Sequence, residues 1–287
     1  MSEDEPYFRE PDWNEQDDRS EEEHEEWPRD AKVDEAKRFI MDDFLVGKGS
    51  DVFWERQIEV RLEGQFFHWI TAKALQELRE EGELASELVQ EGSIVLRLYW
   101  FPGNRYWKRK AGRIRKFMRF YSDPSFTRAL GNHGEIMFDA ALPTVGFMPT
   151  ARKVRGYGGR VWTATGHDLD RVFVRDGVGY GTEIKNTLPY IPHDELRVKI
   201  RMCQTLGLKP LFIVRGAAKS YVEEVRREGG FTLVFKWQLF PHGYEEEARE
   251  TREAWGLPVD SPRAIQDGTV RRFLNWHLGQ LAGVNSG

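Results

Sequence analysis

Residues 166–187 read GHDLDRVFVRDGVGYGTEIKNT. Asp168 and Asp170 lie two apart, an apolar run follows, and a glycine-rich stretch leads into Glu183-Ile184-Lys185. Side chains alternate along a strand, so Glu183 and Lys185 face one way and Ile184 the other. Asp168 and Asp170 likewise share one face of the preceding strand. If the two strands pair as a hairpin across Arg175–Tyr180, these faces meet and bring two or three carboxylates to a lysine. Uncompensated buried carboxylates are costly, so such a cluster calls for a cation. With oxygen donors only, no cysteine and no His pair at helical spacing, the ion is a hard one, Mg²⁺, with Mn²⁺ as a substitute. A lysine beside a metal-bound water can orient it, and can accept its proton if the lysine pKa is depressed. The competing reading is an ordinary ion-pair network on two surface strands.

The flanks of this stretch set its context. Downstream, the pattern predicts a helix over His193–Leu206, a buried strand over Lys209–Arg215 (KPLFIVR) and a helix over Lys219–Glu228. A strand over Phe231–Leu239 and a closing helix over Pro262–Leu281 follow. Upstream, a helix over Ser125–Ala141 carries Glu135, and two or three glycine-punctuated strands lead to residue 185. The expectation is an α/β domain over 123–287, a mixed sheet flanked by helices. The GYGGR run at 156–160 reads as a tight hairpin turn, or as backbone amides approaching phosphate. His133, next to Glu135, is a packing residue or a neighbour of the metal.

Asp170, Glu183-Ile184-Lys185 and helical Glu135 together resemble the PD-(D/E)XK nuclease superfamily, and GHDLDR is similar to the strand bearing that superfamily's first metal-binding Asp. The resemblance covers about residues 125–240 and includes the helix–strand pair after the motif; Leu169 stands where the motif has Pro. It implies a restriction-endonuclease-like fold and Mg²⁺-dependent phosphodiester hydrolysis. Asp170 and Glu183 would be metal ligands with the Ile184 carbonyl, and Asp168 a competing ligand. Lys185 would position the attacking water, and Glu135 would hold a second metal or a metal-bound water. Gln204 resembles the glutamine that some members carry near the site.

Residues 31–122 read as a second domain. Helical spacing over 34–45 and 53–63, a helix over Thr71–Glu81 with Thr71 as its N-cap, and strands over Glu83–Val89 and Ser93–Tyr99 follow the order of a winged helix-turn-helix. The third helix, with Lys73, would then approach a DNA groove; a helical domain packed only for structure is the alternative. Between Arg97 and Arg128 stand ten Lys or Arg and one acidic residue, Asp123. Arg105, Lys108, Arg109, Lys110, Arg113, Arg115, Lys116 and Arg119 are interleaved with aromatic residues, a mixture suited to phosphate contacts and base stacking.

The 287-residue chain is 40% apolar, long enough for two domains. Its net charge of −5 hides an acidic stretch: residues 1–30 hold 14 Asp or Glu against 3 Arg, leaving a mildly basic remainder. That composition predicts a disordered tail: a solvated segment, a nucleic-acid mimic that competes for a basic groove, or the contact for a partner protein. No run of about 18 apolar residues is present, so no membrane span is expected. The single cysteine, Cys203, excludes a disulfide framework and a cysteine zinc site and favours a cytoplasmic setting. The sequence therefore points to a metal-dependent DNA endonuclease in restriction, repair or junction processing. Cutting two strands commonly needs two sites, which makes a homodimer an expectation. A non-catalytic DNA-binding protein on a nuclease-like scaffold and an RNA-directed nuclease are the alternatives.

Overall fold

Helix α1 (Ala31–Val46) buries Val33, Ala36, Ile40 and Phe44, spaced three, four and four, so one stripe of the helix is apolar. The structure, a computed structural model, describes residues 31–46, 51–92 and 94–284. The acidic stretch 1–30 lies outside them. The chain divides between Asp123 and Pro124 into two units.

In the first unit α1 is followed by β1 (Val52–Trp54), α2 (Glu55–Leu62), α3 (His68–Glu80), β2 (Ala85–Glu91) and β3 (Ile94–Trp100). The strands form an antiparallel sheet in the order β1-β3-β2. Phe44, Phe53, Ile58, Ile70, Leu75, Leu78 and Tyr99 meet in one core. Each such side chain contributes roughly 1.5–3 kcal/mol on full burial. Helix α3 starts three residues earlier than the sequence pattern predicts. Phe67, in extended conformation and with no side-chain cap bond, precedes it. Thr71 is therefore an interior residue, wholly buried, and not an N-cap. The basic aromatic segment forms helix α4 (Trp107–Tyr121), anchored by Ala111, Ile114 and Met118 and by Trp107 stacked on Trp100 at 4.0 Å.

The second unit opens with α5 (Pro124–Ala141), a 3₁₀ turn at Leu142–Val145, and β4 (Met148–Val154). A small hairpin of β5 (Gly156–Tyr157) and β6 (Arg160–Val161) takes up the GYGGR run. Then come β7 (Leu169–Arg175), β8 (Val178–Lys185), α6 (His193–Leu206), β9 (Lys209–Val214), α7 (Lys219–Arg227) and β10 (Phe231–Val234). The predicted strand over Phe231–Leu239 is split. Lys236 adopts a left-handed φ of 71°, and β11 (Gln238–Leu239) pairs instead with β12 (Val259–Asp260) across an unforeseen helix α8 (Glu245–Trp255). Helix α9 (Asp267–Val284) closes the chain.

The five-stranded sheet has the order β10-β9-β8-β7-β4. β4, β7 and β8 run antiparallel, while β9 and β10 continue parallel to β8, so the sheet is mixed. Side chains from α5 and α9 pack on one face with Phe173, Tyr180, Ile184, Leu211 and Ile213. On the other face α6 packs against Val172 through Met202, Cys203 and Leu206, and against Phe212 and Val214 through Leu196 and Ile200. β7 and β8 are joined at Asp176-Gly177, whose φ values of 49° and 74° are the paired left-handed residues of a tight hairpin turn. At the far end of β8 the buried Asn186 amide donates to the Leu130 and Leu239 carbonyls and accepts from the Leu239 N–H. Arg215, fully buried just beyond β9, donates to the Thr187 and Leu188 carbonyls. The segment between β8 and α6 is thus fixed from below. Among the described residues no helix is long and apolar enough to cross a membrane.

Candidate active site

The β7–β8 register pairs Arg171 with Thr182 and Val172 with Gly181, so the next pair along is Asp170 and Glu183. Both point to the α6 side of the sheet. The Ile184 N–H donates to Asp170 Oδ2 at 2.7 Å, tying the carboxyl to the neighbouring strand. Glu183 is only 3% exposed and lies between two ammonium groups. Lys185 Nζ is 3.1 Å from Oε1, and Lys199 Nζ is 2.6 Å from Oε2. The second contact is an ion pair and not an aligned hydrogen bond, so Oε2 accepts no hydrogen bond among the described residues. Lys185 also pairs with Glu195 Oε1 at 2.8 Å.

Burial, and after it the charge of Glu183, pushes the Asp170 carboxyl up to about 7. Two carboxylates on one face repel, and the ammoniums only partly offset this. Burial disfavours a charged Lys185, but the Glu183 and Glu195 carboxylates outweigh it and hold its pKa above the ordinary value. The depressed pKa that proton acceptance by Lys185 would require is therefore absent from this arrangement. In this arrangement it is an ammonium, suited to orienting a water or a phosphate oxygen.

Other expected site residues lie elsewhere. Glu135 is on the opposite face of the sheet, where its carboxylate is 2.7 Å from Arg171 Nη2. Arg171, 4% exposed, alternates with Asp170 along β7 and also binds Asp139. A buried guanidinium needs carboxylate partners, which is the physical reason Glu135 turns away from the cluster. Asp168 precedes β7, and its main-chain carbonyl accepts from Lys199 Nζ. Gln204 lies on the outer side of α6 and donates to Glu228 Oε2 at 2.6 Å, away from Glu183. His133, buried on α5, packs edge-on against His242, with ring centroids 5.1 Å apart. Burial, with His242 adding to it, lowers its pKa.

Lys199 is the member of the cluster that the sequence reading missed, and Glu195 accompanies it. The signal was present. Leu196, Lys199, Cys203 and Leu206 follow helical spacing, so a lysine stands in the apolar seam of α6. The close approach of α6 to β8 that lets Lys199 reach Glu183 depends on Gly181. A Cβ there would come within 2.6 Å of Cys203 Sγ and 2.8 Å of Leu169 Cδ1.

Among the described residues no group of three or more His, Cys, Asp or Glu side chains is arranged to hold a metal. Two carboxylates converge, Asp170 and Glu183.

In the first unit the exposed face of α4 presents Lys108, Arg109, Arg113 and Lys116, with Arg105 exposed just ahead of the helix. Lys108 lies over the Trp107 ring and Arg109 over the Tyr106 ring. Three of the expected phosphate contacts are engaged within the unit. Lys110 pairs with Asp51 at 2.5 Å, and Arg115 and Arg119 both bind the buried Glu91 carboxylate. Lys73 is exposed on α3. No protein-family model, curated protein or solved structure matches the chain.

Proposed function

We propose that the protein is a metal-dependent DNA endonuclease of the PD-(D/E)XK kind, with a winged-helix first unit that docks DNA. The single observation that carries this reading is the convergence of Asp170, Glu183 and Lys185 on one face of the β7–β8 hairpin. The order α5, three antiparallel strands, α6 and a parallel β9 agrees with a restriction-endonuclease-like core. The order α1, β1, α2, α3, β2, β3, with a β1-β3-β2 sheet, supports the winged helix.

The donor set fits a hard divalent cation. Asp170 and Glu183 supply carboxylate oxygens; burial first, and then the Glu183 charge, raise the Asp170 pKa, and a positive ion would offset both. Mg²⁺ held by these two residues would lower the pKa of a bound water and neutralise charge on the scissile phosphate. Lys185, held protonated by Glu183 and Glu195, orients the attacking water and pairs with a phosphate oxygen. The exposed cations of α4 bind phosphates without reading sequence.

Incubation of plasmid and branched DNA with Mg²⁺ or Mn²⁺ tests this, comparing wild type, Glu183→Ala and Lys185→Ala. The expected result is metal-dependent nicking that both substitutions abolish while DNA binding persists. Binding without cutting under either metal would leave a DNA-binding protein on a nuclease-like scaffold. Cutting confined to single-stranded RNA would favour the RNA-directed reading.

A further inference from the structure

The cluster holds one lysine more than the proposed chemistry uses. Lys185 is 30% exposed at its side chain and is shared between Glu183 and Glu195, so its contacts can exchange with solvent or a phosphate. Lys199 differs in each respect. Its side chain is 5% exposed, and it rises from the middle of α6. Its ammonium has two partners, the Glu183 carboxylate on β8, with which it forms an ion pair, and the Asp168 carbonyl just before β7, to which it donates. It therefore joins the two strands at the end where Asp170 and Glu183 face each other.

We infer that Lys199 is a positioning residue that acts as a built-in cation: it occupies the Oε2 side of Glu183, fixes that carboxylate toward Asp170, and restricts the site to a single divalent ion. This rests on the function proposed above. A carboxylate presents two oxygens, and an ion on one side leaves only the other for a metal. Lys199 does not leave this position readily, because a buried ammonium stripped of its partners is strongly disfavoured. Glu183 is likewise buried, and without Lys199 it would rely on the partly exposed Lys185 alone. Lys199 thus holds the site in shape before metal arrives and opposes the binding of positive charge beside it.

These two effects have opposite signs, and that separates the inference from a purely structural role. The test uses the full chain, with Mn²⁺ titrated calorimetrically in the absence of DNA and thermal unfolding followed with and without Mn²⁺. In Lys199→Met the metal-free protein should melt lower than wild type. Its Mn²⁺ affinity should be higher by about tenfold or more, because a like charge is removed and a carboxylate oxygen freed. The stoichiometry should rise from one ion towards two. Lys199→Arg, which keeps the charge, should restore wild-type stoichiometry. If Lys199→Met weakens Mn²⁺ binding or leaves affinity and stoichiometry unchanged, the built-in-cation role is overturned while the nuclease reading stands. If Lys199→Met does not fold, Lys199→Arg still decides: two ions bound there, or in wild type, also overturns the inference. Wild-type protein that binds no Mn²⁺ and cuts no DNA overturns both.

Discussion

Each unit buries a glutamate between two cations, and the two arrangements serve different ends. In the first, Glu91 accepts from Arg115 and Arg119, whose side chains are 45% and 66% exposed. Those hydrogen bonds lower its pKa, and among the described residues no second carboxylate contributes to its shift. In the second, Glu183 lies between Lys185 and Lys199, and Asp170 faces it across the hairpin, raised to about 7. Glu91 is a saturated clamp that fastens α4 to β2. Glu183 belongs to a set that is still short of positive charge. A buried carboxylate with two cationic neighbours is thus not in itself a site. A second carboxylate sharing its face, at a cost in protonation, makes it a candidate.

The largest way to break this comparison is a paired substitution. Glu183→Gln should reduce metal-dependent DNA cleavage by roughly 10³-fold or more, since it removes a group required as part of a unit. Glu91→Gln should leave the cleavage rate unchanged and cost about 1–2 kcal/mol of stability, as expected when a hydrogen-bonded charge is lost. Plasmid-nicking rates beside urea unfolding curves check both. Equal loss of cleavage in the two variants would mean that both glutamates act only through stability.

The Asp170 pKa gives the next effect, and its sign can be worked out. The folded state keeps the carboxyl protonated up to about pH 7, while the unfolded state releases the proton near 3.8. Between these values the folded state binds more protons, so the metal-free protein loses stability as pH rises. Asp170→Asn should therefore be stabilising by on the order of 2–4 kcal/mol at about pH 8 and neutral below about pH 4, in chelator. A stability gap independent of pH would show that Asp170 titrates normally.

A smaller effect is expected from the α4 surface. Neutralising Lys108, Arg109 or Lys116 singly should reduce DNA affinity modestly and lower the slope of log affinity against log salt by about one each. The cleavage rate at saturating DNA should not change. Smallest of all, Gln204→Ala should alter stability by no more than about 0.5 kcal/mol and leave cleavage intact, because its partner Glu228 is on the surface.

What was legible in the sequence follows the range of the interactions. The β7–β8 hairpin was readable because alternation is a local signal, although its turn, placed across Arg175–Tyr180, narrows to Asp176-Gly177; His193–Leu206 was readable because its stripe repeats over four turns. The mixed α/β sheet flanked by helices followed from these pieces. Helix α4 was obscured because only Ala111, Ile114 and Met118 mark its buried face among many cations. Strand β1 spans three residues, too few for a periodicity. The position of Glu135 could not be read, since it depends on Arg171 drawing it to the far face, a contact across 36 residues of chain. Lys199 was overlooked because a charged residue in an apolar seam resembles an error in the pattern, when it is the mark of a buried partner.

The buried Arg215 bears on how the cluster is readied. By holding the Thr187 and Leu188 carbonyls it removes freedom from the short span between β8 and α6. Lys185 stands at one end of that span and Glu195 just past the other. Their pairing therefore costs little additional conformational entropy, most of which was lost when the sheet formed. The ammonium proposed to meet the substrate is preorganised by a guanidinium bonded to the carbonyls of the adjoining span.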